Sequence, residues 1–191
     1  MNYQFQVPQK KFPTIDLWED FYLREKRDSD VEDFLAHYSD KEVTKYIMCE
    51  MPRTIDEARR DLHYWRGVFY RNDGVFFAIA DKKTDRLIGT FGLSGYNSYQ
   101  SRIEISYDLN REYWRRGIIS RALKEVLKLA FETWKVNRVE AYAAVPNEPS
   151  RNLLLKAGFT LEGVLRQHRY HLGRYVDVHS FSILREDLYQ N

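Results

Sequence analysis

The sequence predicts a mixed α/β (α+β) domain in which a central, mostly antiparallel sheet is flanked by helices. Three observations lead there. Apolar strand-like runs joined by turn residues recur as hairpins, amphipathic helices lie before and between them, and 191 residues suffice to bury a core without disulfides or metals. One domain over residues 1–191 is therefore expected, with no internal repeat, low-complexity segment or linker to divide it.

The elements follow in order. Phe21-Tyr22-Leu23-Arg24 reads as a first strand, and Ser29 is placed to open a helix in which Val31, Phe34 and Leu35 share a face. Thr54 and Glu57 form a capping-box pattern ahead of Ile55, Ala58, Leu62 and Trp65 at helical spacing. Val75 to Ala80 and Leu87 to Leu93 form a hairpin across the turn residues from Asp81 to Asp85. Arg102 to Leu109 extends the sheet, with Ile103, Ile105 and Tyr107 on one face and Glu104, Ser106 and Asp108 on the other, where they can line a cleft.

The strongest helix starts at Ile118, where Ile118, Ile119, Ala122, Leu123, Val126, Leu127, Ala130, Phe131 and Trp134 form one apolar stripe. Val139 to Val145 is the next strand. Pro146 to Pro149 starts a further helix that Gly158 ends, and Phe159 to Tyr170 with Tyr175 to Leu184 closes the chain as a hairpin across Gly173. The aromatic residues Trp65, Phe69, Tyr70, Phe76 and Phe77 are core by spacing, with part of them available to floor a binding site.

Composition excludes several functions. Hydrophobic residues at 43% and charged residues at 30% rule out a disordered chain, and 30 basic against 28 acidic residues leave no charge excess to draw nucleic acid. Cys49 is the only cysteine, which excludes an intrachain disulfide and a cysteine zinc site and fits a reducing cytoplasm. No run approaches the ~20 apolar residues of a membrane span, and no signal-peptide pattern opens the chain. The five histidines, His37, His63, His168, His171 and His179, show no metal-ligand spacing; His168 and His171 either face a cleft or lie exposed.

Two motifs carry chemistry. Trp114-Arg115-Arg116-Gly117-Ile118-Ile119-Ser120 joins a strand to the long helix, where a glycine and the first unpaired N–H groups of a helix can hold a phosphate; a plain turn with a solvated basic pair is the alternative. It is neither a P-loop nor a dinucleotide fingerprint. The second motif runs from Asn147-Glu148-Pro149-Ser150-Arg151-Asn152 to Lys156-Ala157-Gly158-Phe159, followed by Glu162-Gly163.

Together with Tyr113-Trp114-Arg115-Arg116-Gly117, this second motif resembles the GCN5-related N-acetyltransferase (GNAT) superfamily, and Gly173, Tyr175 and Asp177 resemble its RimJ/RimL branch. The resemblance spans residues 20–187. It implies acetyl-CoA as co-substrate, held at the strand end with Tyr107 and Leu109, at the turn Arg115, Arg116, Gly117, Ile118, Ile119 and Ser120, and along the pantetheine arm by Asn147 and Asn152. A V-shaped split between the strands at Tyr107 and Tyr142 is implied as well.

Direct attack of an amine on the thioester would give a tetrahedral intermediate, and no Cys-His or Ser-His-Asp nucleophile argues otherwise. The resemblance points to Glu104 as base, with pairing to Arg102 or a neighbouring strand as its alternative. Ser150 either hydrogen-bonds the departing thiolate or caps its helix. Asp177 and Glu162 are expected in structural pairing. Three positions depart from the family pattern: Ile119 replaces Gly or Ala, Leu154 replaces a tyrosine acid, and Arg169 stands where RimL-like enzymes can carry a carboxylate.

The acceptor implied is a protein N-terminal amine of the ribosomal-protein type; the alternatives are a small amine (polyamine, aminoglycoside or amino acid) or a non-catalytic acyl-CoA binder. Assembly is open between monomer and homodimer. The loops Ile47 to Arg53 and Tyr96 to Arg102 are expected to form the acceptor groove, an open channel suiting a peptide and a closed acidic pocket a polyamine.

Overall fold

A computed structural model describes residues 11–18 and 20–189. The strands are β1 (Ile15–Asp16), β2 (Phe21–Glu25), β3 (Gly74–Asp81), β4 (Leu87–Asn97), β5 (Arg102–Leu109), β6 (Arg138–Ala144), β7 (Thr160–His171) and β8 (Arg174–Leu184). The helices are α1 (Val31–Ser39), α2 (Lys41–Thr44), α3 (Ile55–Tyr70), α4 (Ile118–Lys128) and α5 (Glu148–Lys156). The sheet runs in the order β1-β2-β3-β4-β5-β6-β8-β7. Among the described residues only β5 and β6 pair in parallel, because α4 carries the chain between them as a crossover.

Alternation divides the core between the two faces of the sheet. Phe77 and Ile79 of β3, Phe91 and Leu93 of β4, and Ile103 and Ile105 of β5 pack under the apolar stripe that α4 begins and a π-helical turn, Leu129–Thr133, continues, with Ile118, Ile119, Ala122, Leu123, Val126, Leu127, Ala130, Phe131 and Trp134 buried. On the opposite face Ala78 and Leu87 meet Val31 and Phe34 of α1 and Ala58 and Leu62 of α3. Burying these side chains contributes about 1.5–3 kcal/mol each before the chain-entropy cost is set against it.

Local signals end the elements as the residues dictate. Thr54 accepts from the Glu57 N–H at 3.2 Å, while the Glu57 carboxylate reaches back to the Arg53 N–H at 2.7 Å, one residue earlier than a strict capping box. At the end of α5 the Phe159 N–H donates to Leu154 C=O and the Gly158 N–H to Leu155 C=O, with Gly158 at φ 92°, the backbone region where a side chain is strained.

The expected opening of α1 by Ser29 is corrected. A single 3-10 turn, Asp28–Asp30, precedes α1, and it is Asp30 whose carboxylate accepts the Arg27 N–H at 2.7 Å. Arg24 also forks onto Asp30, through Nη1 and Nη2 at 2.7 Å each, in a pair that is fully buried. Asp30 thus closes the turn ahead of α1 and satisfies the buried guanidinium, while α1 itself starts without a side-chain cap.

The parallel pair shapes the site. Its register runs from Arg102↔Arg138 to Ile105↔Ala141 and stops there. Beyond that point Ser106 to Asp108 stay with β4 and Tyr142 to Ala144 with β8, so β5 and β6 diverge into the V expected at Tyr107 and Tyr142.

Candidate active site

A cavity of about 930 Å³ passes along this split. One wall is the C-terminal half of β5, a second the turn into α4, a third the start of α5, and the far end is closed by the α2–α3 connection from Lys45 to Pro52 together with Arg169 of β7.

The turn at the start of α4 is held from within. Trp114 Nε1 donates to the Leu109 carbonyl at 2.7 Å, Asn110 accepts from the Glu112 N–H, and Arg115 and Gly117 adopt left-handed φ values of 62° and 77°. Gly117 stands at the helix cap, where no side chain satisfies the first turn and no acidic residue lies in it. Open N–H groups and the helix dipole leave this end receptive to an anion. Arg115 lines the cavity beside Leu109, Gly117, Ile118, Ile119 and Ser120.

Two expected contacts lie outside that lining. Arg116 stacks on the Tyr113 ring at 5.0 Å, and Asn152 sits exposed next to Arg151. Asn152 follows Ser150 by two residues, which on a helix sends the two side chains to nearly opposite faces. Ile119, where the family pattern has Gly or Ala, packs into the core and also lines the cavity at the helix end.

The hydroxyl at Ser150 is free of capping duty. Asn147 caps α5, accepting from the Ser150 N–H at 3.2 Å, and the Ser150 hydroxyl instead meets the Tyr107 hydroxyl at 2.9 Å. Burial pushes the Tyr107 phenol up to about 12, against which the bond from Ser150 works in the other direction. Leu154 is buried beside them and brings no polar atom.

Glu104 lies on the opposite face of β5. Its partner is Arg169, whose Nη2 sits 3.3 Å from both carboxylate oxygens, and not Arg102, which pairs with Glu140 at 3.0 Å. Burial raises the Glu104 carboxyl above its ordinary value, and the Arg169 guanidinium opposes that rise. Arg169 is aimed there by a bulge in β7: the register shifts between Leu165 and Arg169, Gln167 takes φ 50°, and Asp177 pins the bulge by accepting the Gln167 N–H at 2.8 Å. Glu162 pairs with Arg138 and Ser182, so both carboxylates expected in structural roles have them.

A buried polar cluster was not visible in the sequence. Asp108 accepts from His37 Nε2 at 2.7 Å, from the Tyr38 hydroxyl at 2.9 Å, and from the Thr90 N–H and hydroxyl at 2.9 Å each. Nearby Lys26 donates to the Phe77 carbonyl at 2.9 Å and lies over the Phe76 ring; burial lowers its ammonium to about 7. Of the expected aromatic floor, Trp65 and Phe76 line the cavity, Phe69 and Phe77 are core, and Tyr70 is exposed.

The expected groove is half right. Ile47 to Pro52 line the cavity, whereas Tyr96 to Arg102 do not, because that turn lies at the N-terminal end of β5 and the split opens at the other. His171 Nε2 meets the Lys45 carbonyl at 2.9 Å, tying the β7–β8 hairpin to the same loop, and His168 stacks on Tyr142. Among the described residues no cluster of His, Cys, Asp and Glu is arranged for a metal, and no helix is long and apolar enough to cross a membrane.

The model of the acetyltransferase (GNAT) domain family matches residues 20–160. The chain belongs to the GNAT acetyltransferases. Members are acetyl-CoA-dependent N-acyltransferases. The uncharacterized N-acetyltransferase YoaA of Bacillus subtilis is 33% identical over 91% of this chain and 98% of its own length. The ribosomal-protein-serine acetyltransferase of Escherichia coli is 30% identical over 52% of this chain and 56% of its own. A crystal structure of a probable acetyltransferase superposes with a TM-score of 0.83 at 25% identity, covering 92% of this chain and 98% of that one. The homologues of this chain thus include a ribosomal-protein acetyltransferase of the kind the RimJ/RimL resemblance implied.

Proposed function

We propose that this GNAT enzyme acetylates the N-terminal α-amine of a protein, with Glu104 as general base and Ser150, directed by Tyr107, as proton donor. The reading rests chiefly on the split between β5 and β6: it joins the Glu104 carboxylate on one face of β5 to the Tyr107–Ser150 hydroxyl pair on the other. Acetyl-CoA supplies an acyl group on a thiol leaving group. Glu104 takes the proton the amine gives up, Ser150 Oγ offers one to the departing sulfur, and the Tyr107 hydroxyl fixes the direction of Ser150.

The residues present suit the co-substrate. Arg115, Gly117 and the first turn of α4 would hold its pyrophosphate. The β6-facing edge of β5 beyond Ile105, which lacks a strand partner, would pair with the pantetheine amides beside Asn147. A methyl group at Gly117 would stand 3.3 Å from the Trp18 ring on backbone at φ 77°. Gly117→Ala is expected to cost about 1–2 kcal/mol in urea unfolding and to weaken acetyl-CoA binding in calorimetry; unaltered affinity would remove Gly117 from the site.

The α-amine is favoured over a polyamine by basicity. Glu42, Glu50, Asp61, Glu104 and Asp108 share the cavity with Lys26, Lys45, Arg115 and Arg169, so the lining is mixed in charge and the choice rests on the acceptor's own chemistry. An α-amine with pKa near ~8 asks less of a half-buried carboxylate than lysine near ~10.4. Kinship to the E. coli ribosomal-protein enzyme points the same way.

The test is thiol release from acetyl-CoA. Peptides with a free N-terminus are expected to turn over, while the same peptides blocked at the N-terminus but carrying lysine, and spermidine, lag well behind. Preference for spermidine would overturn the acceptor class.

A further inference from the structure

Resting on that reading, we infer that Arg169 is a specificity residue: it selects acceptors that carry a carboxylate next to the reacting amine. Arg169 and Glu104 meet in the cavity lining, with Nη2 of the arginine 3.3 Å from both carboxylate oxygens. An amine delivered to Glu104 therefore brings its neighbouring atoms against the guanidinium.

The pair is built to open. Within the same protein Arg24 grips Asp30 through two nitrogens at 2.7 Å with both side chains buried. Arg169 instead offers Glu104 a single nitrogen at a longer distance, with the two side chains 34% and 37% exposed. A half-exposed pair of that geometry holds little free energy, and a substrate carboxylate displaces it at small cost.

Arg169 keeps its place without Glu104. Its guanidinium lies over the Tyr142 ring at 5.2 Å, and that ring is itself stacked on His168 at 5.2 Å. Among the described residues its Nε and Nη1 make no hydrogen bond, and both forked edges of the guanidinium include Nη2, so a carboxylate that takes Nη2 from Glu104 gains a second donor with it. The other cations near the acceptor end are engaged differently: Lys26 donates to the Phe77 carbonyl and Lys45 lies over the Tyr46 ring. Bidentate capture of a carboxylate falls to Arg169.

The carboxylate has two sources, an acidic residue following a protein N-terminus or the α-carboxylate of a free amino acid. The experiment compares kcat/KM for C-terminally amidated peptides beginning Ser-Asp, Ser-Asn and Ser-Lys, and for serine against serinamide, in the wild type and in Arg169→Gln and Arg169→Glu. The wild type is expected to favour the acid-bearing member of at least one set by about 10- to 100-fold. A preference among the peptides names the protein source, one for serine over serinamide the free amino acid.

Arg169→Gln is expected to erase that ratio and Arg169→Glu to favour Ser-Lys. Turnover with equal rates in both sets, a wild-type preference for Ser-Lys, or an acid preference that survives Arg169→Gln overturns the inference while leaving acetyl transfer intact. Absence of thiol release with every acceptor removes the acetyl-transfer reading and this one with it.

Discussion

Glu104→Gln is expected to lower kcat/KM by about 10²- to 10⁴-fold, the range a positioned general base supplies, with acetyl-CoA affinity unchanged. The side chain keeps its shape and can still hydrogen-bond to Arg169, so the loss isolates the proton acceptor from the packing. The pH profile carries the sharper reading. Burial raises the Glu104 carboxyl above its ordinary 4.5 and Arg169 opposes it, so the acidic limb of the wild-type profile lies above 4.5. Below that limb the carboxylate is protonated and cannot act; above it the base is fully available.

Replacing Glu104 removes this limb and leaves only the ionisation of the acceptor amine near ~8. The deficit should then narrow above that pH, where solvent has already taken the proton. An unchanged rate and profile would eliminate Glu104 as the base. A deficit of constant size at every pH would mean that Glu104 positions the acceptor without accepting its proton.

Much of this fold was legible because its signals are local. The stripe from Ile118 to Trp134, the hairpin across Asp81 to Asp85 and the Gly158 stop each depend on residues within a few turns of one another. What escaped notice depends on partners far along the chain. β1 is two residues long and exists only because Ile15 and Asp16 pair with Leu23 and Tyr22, and α2 is a single turn capped by Asp40.

The site divides along the same line. The alternation on β5 separated Glu104 and Asp108 from Ile103 and Ile105, and the strand–turn–helix at Gly117 followed from spacing. Which groups those side chains would meet did not follow. Tyr107 and Ser150 are 43 residues apart, Glu104 and Arg169 are 65, and His37 and Asp108 are 71. Periodicity fixes the face a side chain occupies, while its partner is set by how the sheet twists and where β7 bulges.

The same distant partners make Asp108 the position where a single change should cost the most stability. Its carboxylate takes four hydrogen bonds from His37, Tyr38 and Thr90, tying α1 to β4 and β5 at the wall of the cavity. Asp108→Ala leaves those donors buried with no acceptor, a loss of about 3–5 kcal/mol from a total stability of about 5–15 kcal/mol. In a chain of this size that lowers Tm by about 6–20 °C. Asp108→Asn should fare little better, since one oxygen becomes an amide that points a donor at donors.

The pH dependence fixes the cause. Burial alone would raise the Asp108 carboxyl, but His37, Tyr38 and Thr90 outweigh it and hold it below the ordinary 3.8. A carboxyl depressed on folding adds stability that is fully present above the unfolded value and is lost as pH falls through the folded one. Wild type and Asp108→Ala should therefore differ by a constant margin in urea midpoint from pH 7 down to about 4 and converge at lower pH. A margin that persists unchanged into strong acid would assign the loss to packing and not to the charge.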